Sequence, residues 1–584
     1  IIKLYSQGKK PEALGEALIQ KKLFPNNSDL LNALGIIYRS LNQLELSIKH
    51  YDQAIKINKL NPSFFNNRGN ALRDLGKLEE AKSDFYQAVK LKPSNSTFWS
   101  NLAKCYNDGG DHSRALVSAQ KALNCNSRDI GALNSLALAY DELDRNNEAI
   151  KAYNAAISLA PNNAIILSNY GRFLFKIERV DKAIDALKNA IGFSPDLVEA
   201  HYNLCEIYEK TDDLESLEAA VNHGMEKTSG DVSLKLKKAL LQFRKKKYNE
   251  CLRTLEAIKP KMLSNQRILI LYDLLAKSSD KIQDFERAFF FFKKSNYHAS
   301  KSNSSKKINA NRFVTTVENS KVSFLKALKN KTTDLFSSNQ SKNIAFLVGF
   351  PRSGTTLLDT VLRSHSKIQV IEEKPMVSQL ICQAKSLSGK NDIFDLSQTE
   401  LNKLAHSYLV QMNEFTNGSD PTNLIVDKFP LNLIHVPFVR KVFPNAKFIL
   451  LIRHPCDTVL SCFMQNFALN DAMANFLSLG KATNLYHSVM STWLSYSKNI
   501  DIHYHQLKYE DLILNFEKTT TGLLRFLELN WEDELKNFNK TAQNRRLIKT
   551  PSYTQVTEKL YLESKGRWKN YERRFSSEII TLQQ

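Results

Sequence analysis

Small residues recur at a fixed step through the N-terminal half of the chain: Gly35, Gly69, Ala103, Ala137, Gly171, Cys205 and Ala239 each follow the last by 34 positions. A second ladder runs through Ala81, Ala115, Ala149 and Ala183, with Ser47 before it and Leu217 and Cys251 after it, and a third through Ala54, Ala88, Ala122, Ala156 and Ala190. Tyr51, Phe85 and Tyr153 sit between the second and third ladders, and Pro93, Pro161 and Pro195 close their repeats. Paired antiparallel helices pack closely only where small side chains let the backbones approach, and an aromatic ring then fills the groove beside them. Such a period commits the first half of the chain to a helical array.

The pattern resembles a tetratricopeptide (TPR) array of about seven units, with a partial one at residues 1–28 and a looser one around Ala276 and Ala288. Cys205 and Cys251 fall on the small positions, which makes packing their expected role. An array of this kind presents a concave face on which a protein partner is expected, and nothing in it supplies a catalytic group. The expected division is a TPR array over residues 1–297, a basic connector over 298–340 with one or two short helices, and a second domain over 341–584.

The formal net charge is +21, and Lys293 to Lys342 alone carries 11 basic against 2 acidic side chains. That balance favours an anionic partner. With few aromatics among the lysines, a nucleic-acid arm is not expected. The seven cysteines form no CxxC pair and have no histidine cluster, so neither a disulfide framework nor a metal site is expected, and a reducing cytoplasm is the expected location. No apolar run has the length of a membrane span.

Ile344 to Val348 reads as a strand, followed at once by Gly349 to Thr356, GFPRSGTT, and then by a helical stretch. Strand, tight loop and helix converge backbone N–H groups and the positive end of a helix on a concavity suited to phosphate oxygens. Gly349 and Gly354 have P-loop spacing, yet Thr355 stands where that motif places Lys, and Arg352 is the cation of the loop. A second strand, Lys447 to Ile452, ends in Arg453, His454 and Pro455 rather than in a metal-binding Asp. Nucleotide hydrolysis needs that Lys and that Asp. The pair of arginines points instead to a nucleotide with an extra phosphate group, handled without magnesium, and disfavours a P-loop kinase.

PRSGTT at Pro351–Thr356 together with RHPCDTVLS at Arg453–Ser461 resembles the sulfotransferases, and most nearly the tyrosylprotein sulfotransferases and bacterial proteins that fuse repeats to such a domain. The likeness covers roughly residues 341–576. It implies an all-α TPR solenoid followed by an α/β P-loop-like sulfotransferase domain with a central parallel sheet, using 3′-phosphoadenosine 5′-phosphosulfate (PAPS) and no metal. By the same likeness Arg352, Ser353, Gly354, Thr355 and Thr356 hold the 5′-phosphosulfate, Arg453 and Ser461 the 3′-phosphate, and Tyr509, Ser552 and Arg567 complete the nucleotide contacts. Ser461 lies two helical turns beyond Arg453, so the two can share a face.

Transfer to a phenol, with its pKa near 10, benefits from a base. Glu373 follows Arg352 at the separation where the tyrosylprotein family carries its base, and Lys428 stands where that family places a lysine on the leaving group, with Arg352 sharing the work. Glu372 is read as a neighbour of the base, and His365 and His454 as structural. Gln465, Pro375 and Gln379 replace arginines of the tyrosylprotein pattern, two of which hold acidic acceptor side chains. The expected acceptor is protein tyrosine, with a glycan or small-molecule hydroxyl as the alternative acceptor and a TPR scaffold with an inactive transferase domain as the alternative function.

Overall fold

The computed structural model describes residues 1–302, 308–331, 343–389, 391–416, 423–544, 565–575 and 578–583. The chain divides into two compact units, Ile1–Lys237 and Lys238–Gln584.

The first unit is a run of antiparallel helix pairs. Helices of 13 and 14 residues alternate, as in Ser28–Ser40 with Leu44–Ile57, Pro62–Asp74 with Leu78–Leu91, and Ser96–Asp108 with His112–Cys125. Five successive pairs start their first helix on a repeated cap: the side chains of Asn27, Asn61, Asn95, Asp129 and Asn163 each accept a backbone N–H of the opening turn, whereas Val198–Lys210 starts on Leu197 without one. Within pairs, the turn residue takes positive φ at Asn42, Gly76, Gly110, Asp144, Glu178 and Asp212. That conformation is cheap for Gly and Asn and strained for Glu178. The small-residue ladder is a contact requirement, because a Cβ on Gly35 would lie 2.4 Å from the Tyr51 ring. Neighbouring first helices are tied by Asn67 to Asn32 at 2.9 Å, Asn101 to Asn66 at 2.8 Å and Asn169 to Asn134 at 3.1 Å.

The second unit is built on a five-stranded sheet of β1 (Ile344–Gly349), β2 (Ile368–Glu372), β3 (Leu424–Lys428), β4 (Lys447–Ile452) and β5 (Tyr504–Lys508), in the order β2-β3-β1-β4-β5. Every pairing is parallel. β1 is apolar at each position because both faces are covered: Phe346 and Val348 enter one core, Ala345 and Leu347 the other. The chain goes from β1 to one side of the sheet and then crosses to β4 on the other. The strand order therefore reverses beside β1, where a crevice opens at the carboxyl ends of the strands.

Three helices that precede β1 belong to this unit's core. Helices Asn265–Lys281, Phe285–Ser300 and Ala310–Lys329 contribute Ala276, Ala288, Phe292, Val317, Phe324 and Ala327 to the cluster that also holds Phe346 and Phe448. The Phe324 ring meets Tyr496 edge-on at 4.7 Å. Within the expected connector, the described residues hold a helix of 20 residues, Ala310–Lys329, that buries Val317, Phe324 and Ala327. Among the described residues, no helix is long and apolar enough to cross a membrane.

Candidate active site

Each strand of the sheet delivers chemistry at the same edge. β1 runs into the loop Phe350–Gly354, which turns sharply enough that Arg352 has φ +68° and Gly354 φ +102°. Gly354 is required twice over: its φ is left-handed, and a Cβ there would lie 2.4 Å from the Tyr509 ring. Helix Thr355–Arg363 follows, and its first two amides, of Thr355 and Thr356, have no intrahelical acceptor, whereas the Leu357 N–H already bonds the Gly354 oxygen at 3.0 Å. Ser353 is 1% exposed, and its Oγ is buried without a hydrogen-bond partner among the described residues. A buried hydroxyl with no partner beside free helix-start amides fits a phosphate or sulfate oxygen, which would satisfy both. Thr355 and Thr356 are buried in the same turn.

Two arginines meet on this loop. Arg453, just beyond β4, donates Nη1 to the backbone oxygen of Arg352 at 3.2 Å, and its guanidinium lies 4.9 Å from the centre of the Tyr509 ring. Arg352 donates Nε to Ser461 Oγ at 3.0 Å. Arg352, Arg453, Ser461, Tyr509 and Gly354 are therefore one cluster, with Ser461 joined to the arginine of the loop. Below it, Cys462 directs Sγ at the Pro351 oxygen at 3.3 Å. Burial pushes that thiol well above its ordinary pKa, outweighing the pull of Arg352 and Arg453, so it stays protonated and serves packing.

On the other side of β1 lies a charged knot. Lys428, the last residue of β3, has a fully buried side chain, with Nζ 2.9 Å from Glu373 Oε1, 3.1 Å from Glu372 Oε1 and 4.0 Å from Asp359 Oδ2. Burial alone would lower the lysine's pKa, but the carboxylates of Glu372, Asp359 and Glu373 override it and hold the pKa above its usual value. Glu373 sits just past β2 at φ +49°, with its N–H on the Lys428 oxygen at 2.8 Å. That bond continues the β2–β3 ladder by one step and turns the Glu373 side chain outward, where it is 45% exposed. It is the most exposed carboxylate on Lys428. Asp427 is buried separately, accepting the Tyr408 hydroxyl at 2.6 Å.

Both histidines are taken up by structure. His365 bonds the Asn530 oxygen through Nε2 at 2.9 Å and accepts the Lys367 N–H on Nδ1 at 3.1 Å. His454 stacks on Trp568 at 5.3 Å with an interplanar angle of 11°. Arg567 stands in the 3-10 helix Arg567–Arg574 with Nη2 2.8 Å from Asp280 Oδ2. Ser552 lies outside the described residues.

Three residues of this region were not singled out from the sequence. Asp457 accepts the Gly566 and Trp568 amides at 2.7 and 2.9 Å, hooking the segment 565–575 onto helix Pro455–Phe463. Glu510 accepts the His454 amide at 2.9 Å, and Asp359 backs Lys428. Asp457 was visible inside RHPCDTVLS as an acid in a helix's first turn, but a macrodipole partner is the ordinary reading of that position. Asp359 reads locally as the i,i+4 partner of Arg363, whose Nε lies 2.5 Å from its Oδ1, and that pairing says nothing of Lys428 on another strand.

Residues 345–533 match the model of the Sulfotransferase family, and residues 35–72, 62–95 and 134–198 match TPR-repeat models. The second unit carries a sulfotransferase-family domain. Among relatives of the chain, a protein of Aquifex aeolicus (strain VF5) described as an uncharacterized protein is 32% identical over 257 residues, covering 42% of this chain and 33% of that one. Protein-tyrosine sulfotransferase 1 of Danio rerio is 26% identical over 212 residues, covering 34% and 56%. Protein-tyrosine sulfotransferase of Drosophila melanogaster is 24% identical over 222 residues, covering 35% and 42%. The chain spans between about a third and somewhat over half the length of these relatives. The sulfotransferase-family match begins at β1 and takes in the arginine cluster and the lysine knot.

Proposed function

We propose that the second unit is a PAPS-dependent sulfotransferase acting on a hydroxyl acceptor, with protein tyrosine the favoured acceptor, and that the TPR array recruits the acceptor protein or a partner. The observation that carries this reading is the Glu373–Lys428 pair standing at the same sheet edge as the Arg352–Arg453 loop. When bound, PAPS supplies a sulfuryl group on a phosphate leaving group. Ser353, Thr355 and Thr356 with their helix-start amides, and Arg352, would hold the 5′ end; Arg453, Ser461 and Tyr509 would hold the 3′-phosphate end.

Glu373 accepts the acceptor's proton as the oxygen attacks sulfur, a role worth about 10²- to 10⁴-fold. Lys428 aims Glu373 through its 2.9 Å contact with Oε1. As Glu373 takes the proton it ceases to neutralise Lys428, and the released positive field, with that of Arg352, stabilises the negative charge growing on the leaving oxygen. The proton and the charge are thus handled by one ion pair. The absence of arginine at Pro375 and Gln379 favours a glycan or small-molecule hydroxyl as the second reading for the acceptor.

Calorimetry with 3′-phosphoadenosine 5′-phosphate against ATP and magnesium tests the nucleotide. The bisphosphate is expected to bind and ATP with magnesium to bind at least tenfold more weakly; the reverse order sinks the reading. Labelled sulfuryl transfer across acidic tyrosine peptides, glycans and phenols tests the reaction, and Glu373→Ala is expected to lower kcat by 10²- to 10⁴-fold with bisphosphate affinity kept within about threefold. Bisphosphate binding with no transfer to any acceptor would leave a binding scaffold.

A further inference from the structure

Asp280 lies at the end of helix Asn265–Lys281, outside residues 345–533 that match the family model. Both of its carboxylate oxygens are spent on the segment 565–575: Oδ1 accepts the Tyr571 hydroxyl at 2.6 Å, and Oδ2 pairs with Arg567 Nη2 at 2.8 Å. The same segment is held by Asp457 through Gly566 and Trp568, and Asp457 sits one turn before Ser461 on helix Pro455–Phe463. The helical hairpin 265–300 closes this triangle. Its Phe289 ring lies 6.3 Å from Tyr571 and 5.2 Å from Phe463, Phe285 meets Tyr571 edge-on at 5.3 Å, and Asn296 donates Nδ2 to the Phe463 oxygen at 2.9 Å. Glu286 on the hairpin pairs with Arg574. One hairpin therefore grips both the helix that carries Ser461 and the segment that carries Arg567.

We propose that Asp280 is a positioning residue of the transfer site. It fixes Arg567 and Tyr571, which also hydrogen-bond each other, and through them the segment 565–575, so that the Arg567 guanidinium is held at the 3′-phosphate end of the nucleotide. This rests on the PAPS reading above. The physical basis is rotameric. Arg567 is only partly covered, with a side chain 31% exposed, and losing the Asp280 carboxylate widens the set of rotamers open to a long arginine. A guanidinium has five donors in a rigid fork, so one edge can be held by a carboxylate while the others serve an anion. Asp280 is itself well covered, at 12% exposure, and cannot follow the arginine into solvent.

The test uses the full chain with Asp280→Asn and Asp280→Glu. Asp280→Asn keeps an acceptor for Tyr571 and removes the charge on Arg567. It is expected to raise the Kd for 3′-phosphoadenosine 5′-phosphate and the KM for PAPS about tenfold, with kcat within about twofold and the thermal midpoint within a few degrees. Amides of 565–575 are expected to exchange faster in the variant, and Asp280→Glu to recover affinity to within about threefold. Unchanged or tighter bisphosphate binding in Asp280→Asn overturns the inference, as does a fall in kcat and melting temperature with KM unchanged. Failure of the wild type to bind the bisphosphate overturns the PAPS reading itself, and with it this role for Asp280.

Discussion

Asp427 and Lys428 are adjacent on β3, and alternation sends their side chains to opposite faces with opposite fates. Lys428 is buried among carboxylates that keep it charged, whereas Asp427 is buried with one Tyr408 hydroxyl, and its Oδ1 has no partner among the described residues. Burial pushes the Asp427 carboxyl up to about 7, against a smaller downward pull from the Tyr408 hydrogen bond. Because the folded pKa lies above the unfolded value of about 3.9, the folded state binds the extra proton, and stability is fully present below that value. It is lost as pH rises from about 4 to about 7, at up to roughly 1.4 kcal/mol per pH unit. Asp427→Asn is expected to flatten this slope. Urea midpoints at pH 5 and pH 8 check it, and parallel slopes for wild type and variant refute the assignment. Nothing in LIVDKFP distinguishes the two side chains by environment, although the alternation itself is legible there; only the packed sheet shows that one finds three carboxylates and the other a lone phenol.

At the scale of elements, the loop between β1 and its helix was legible because its chemistry is local. Two glycines, an arginine and three hydroxyl residues within one turn need little tertiary support to be recognised. Their partners needed more. The ring of Tyr509, arriving after β5, lies against Gly354 and beneath Arg453, so one residue couples the loop to the second arginine. Gly354→Ala forces a left-handed φ on alanine and drives a Cβ into that ring, at a cost of about 1–3 kcal/mol. The expected outcome is at least a tenfold loss of affinity for 3′-phosphoadenosine 5′-phosphate with helix content by circular dichroism unchanged; undiminished affinity removes Tyr509 from the site. In the array, the small-residue ladders were legible because a 34-residue period repeats one packing problem. The asparagine caps repeat at the same period and were equally available, but a cap reads as punctuation until the helix it starts has been placed.

At the scale of the molecule, the second unit is larger than its family-matched segment. Phe292, Val317 and Phe324 precede β1 and lie in the core that backs the sheet, at 2% exposure or less. Losing each buried phenylalanine costs about 3–5 kcal/mol, against a total stability of about 5–15 kcal/mol for a typical domain. A chain carrying residues 343–584 is therefore expected to lack a cooperative melting transition, while one carrying 238–584 keeps it. Calorimetric scans of the two decide the point, and a sharp transition from the shorter chain would show that the helices 265–329 are dispensable.

The sequence by itself determined the helical array, the phosphate-type loop and the arginine that ends β4, because each is written in neighbouring residues or in a repeated spacing that one local packing rule explains. The tertiary structure alone decided that Asp280 meets Tyr571 across 291 positions of chain, that Asp457 holds the segment carrying Arg567, and that three carboxylates share Lys428. Those pairings depend on how helices stack on the sheet. Side-chain charge and size in the sequence limit such meetings without selecting among them, since the selection is made by the burial of apolar faces that bring distant strand and helix ends to one edge.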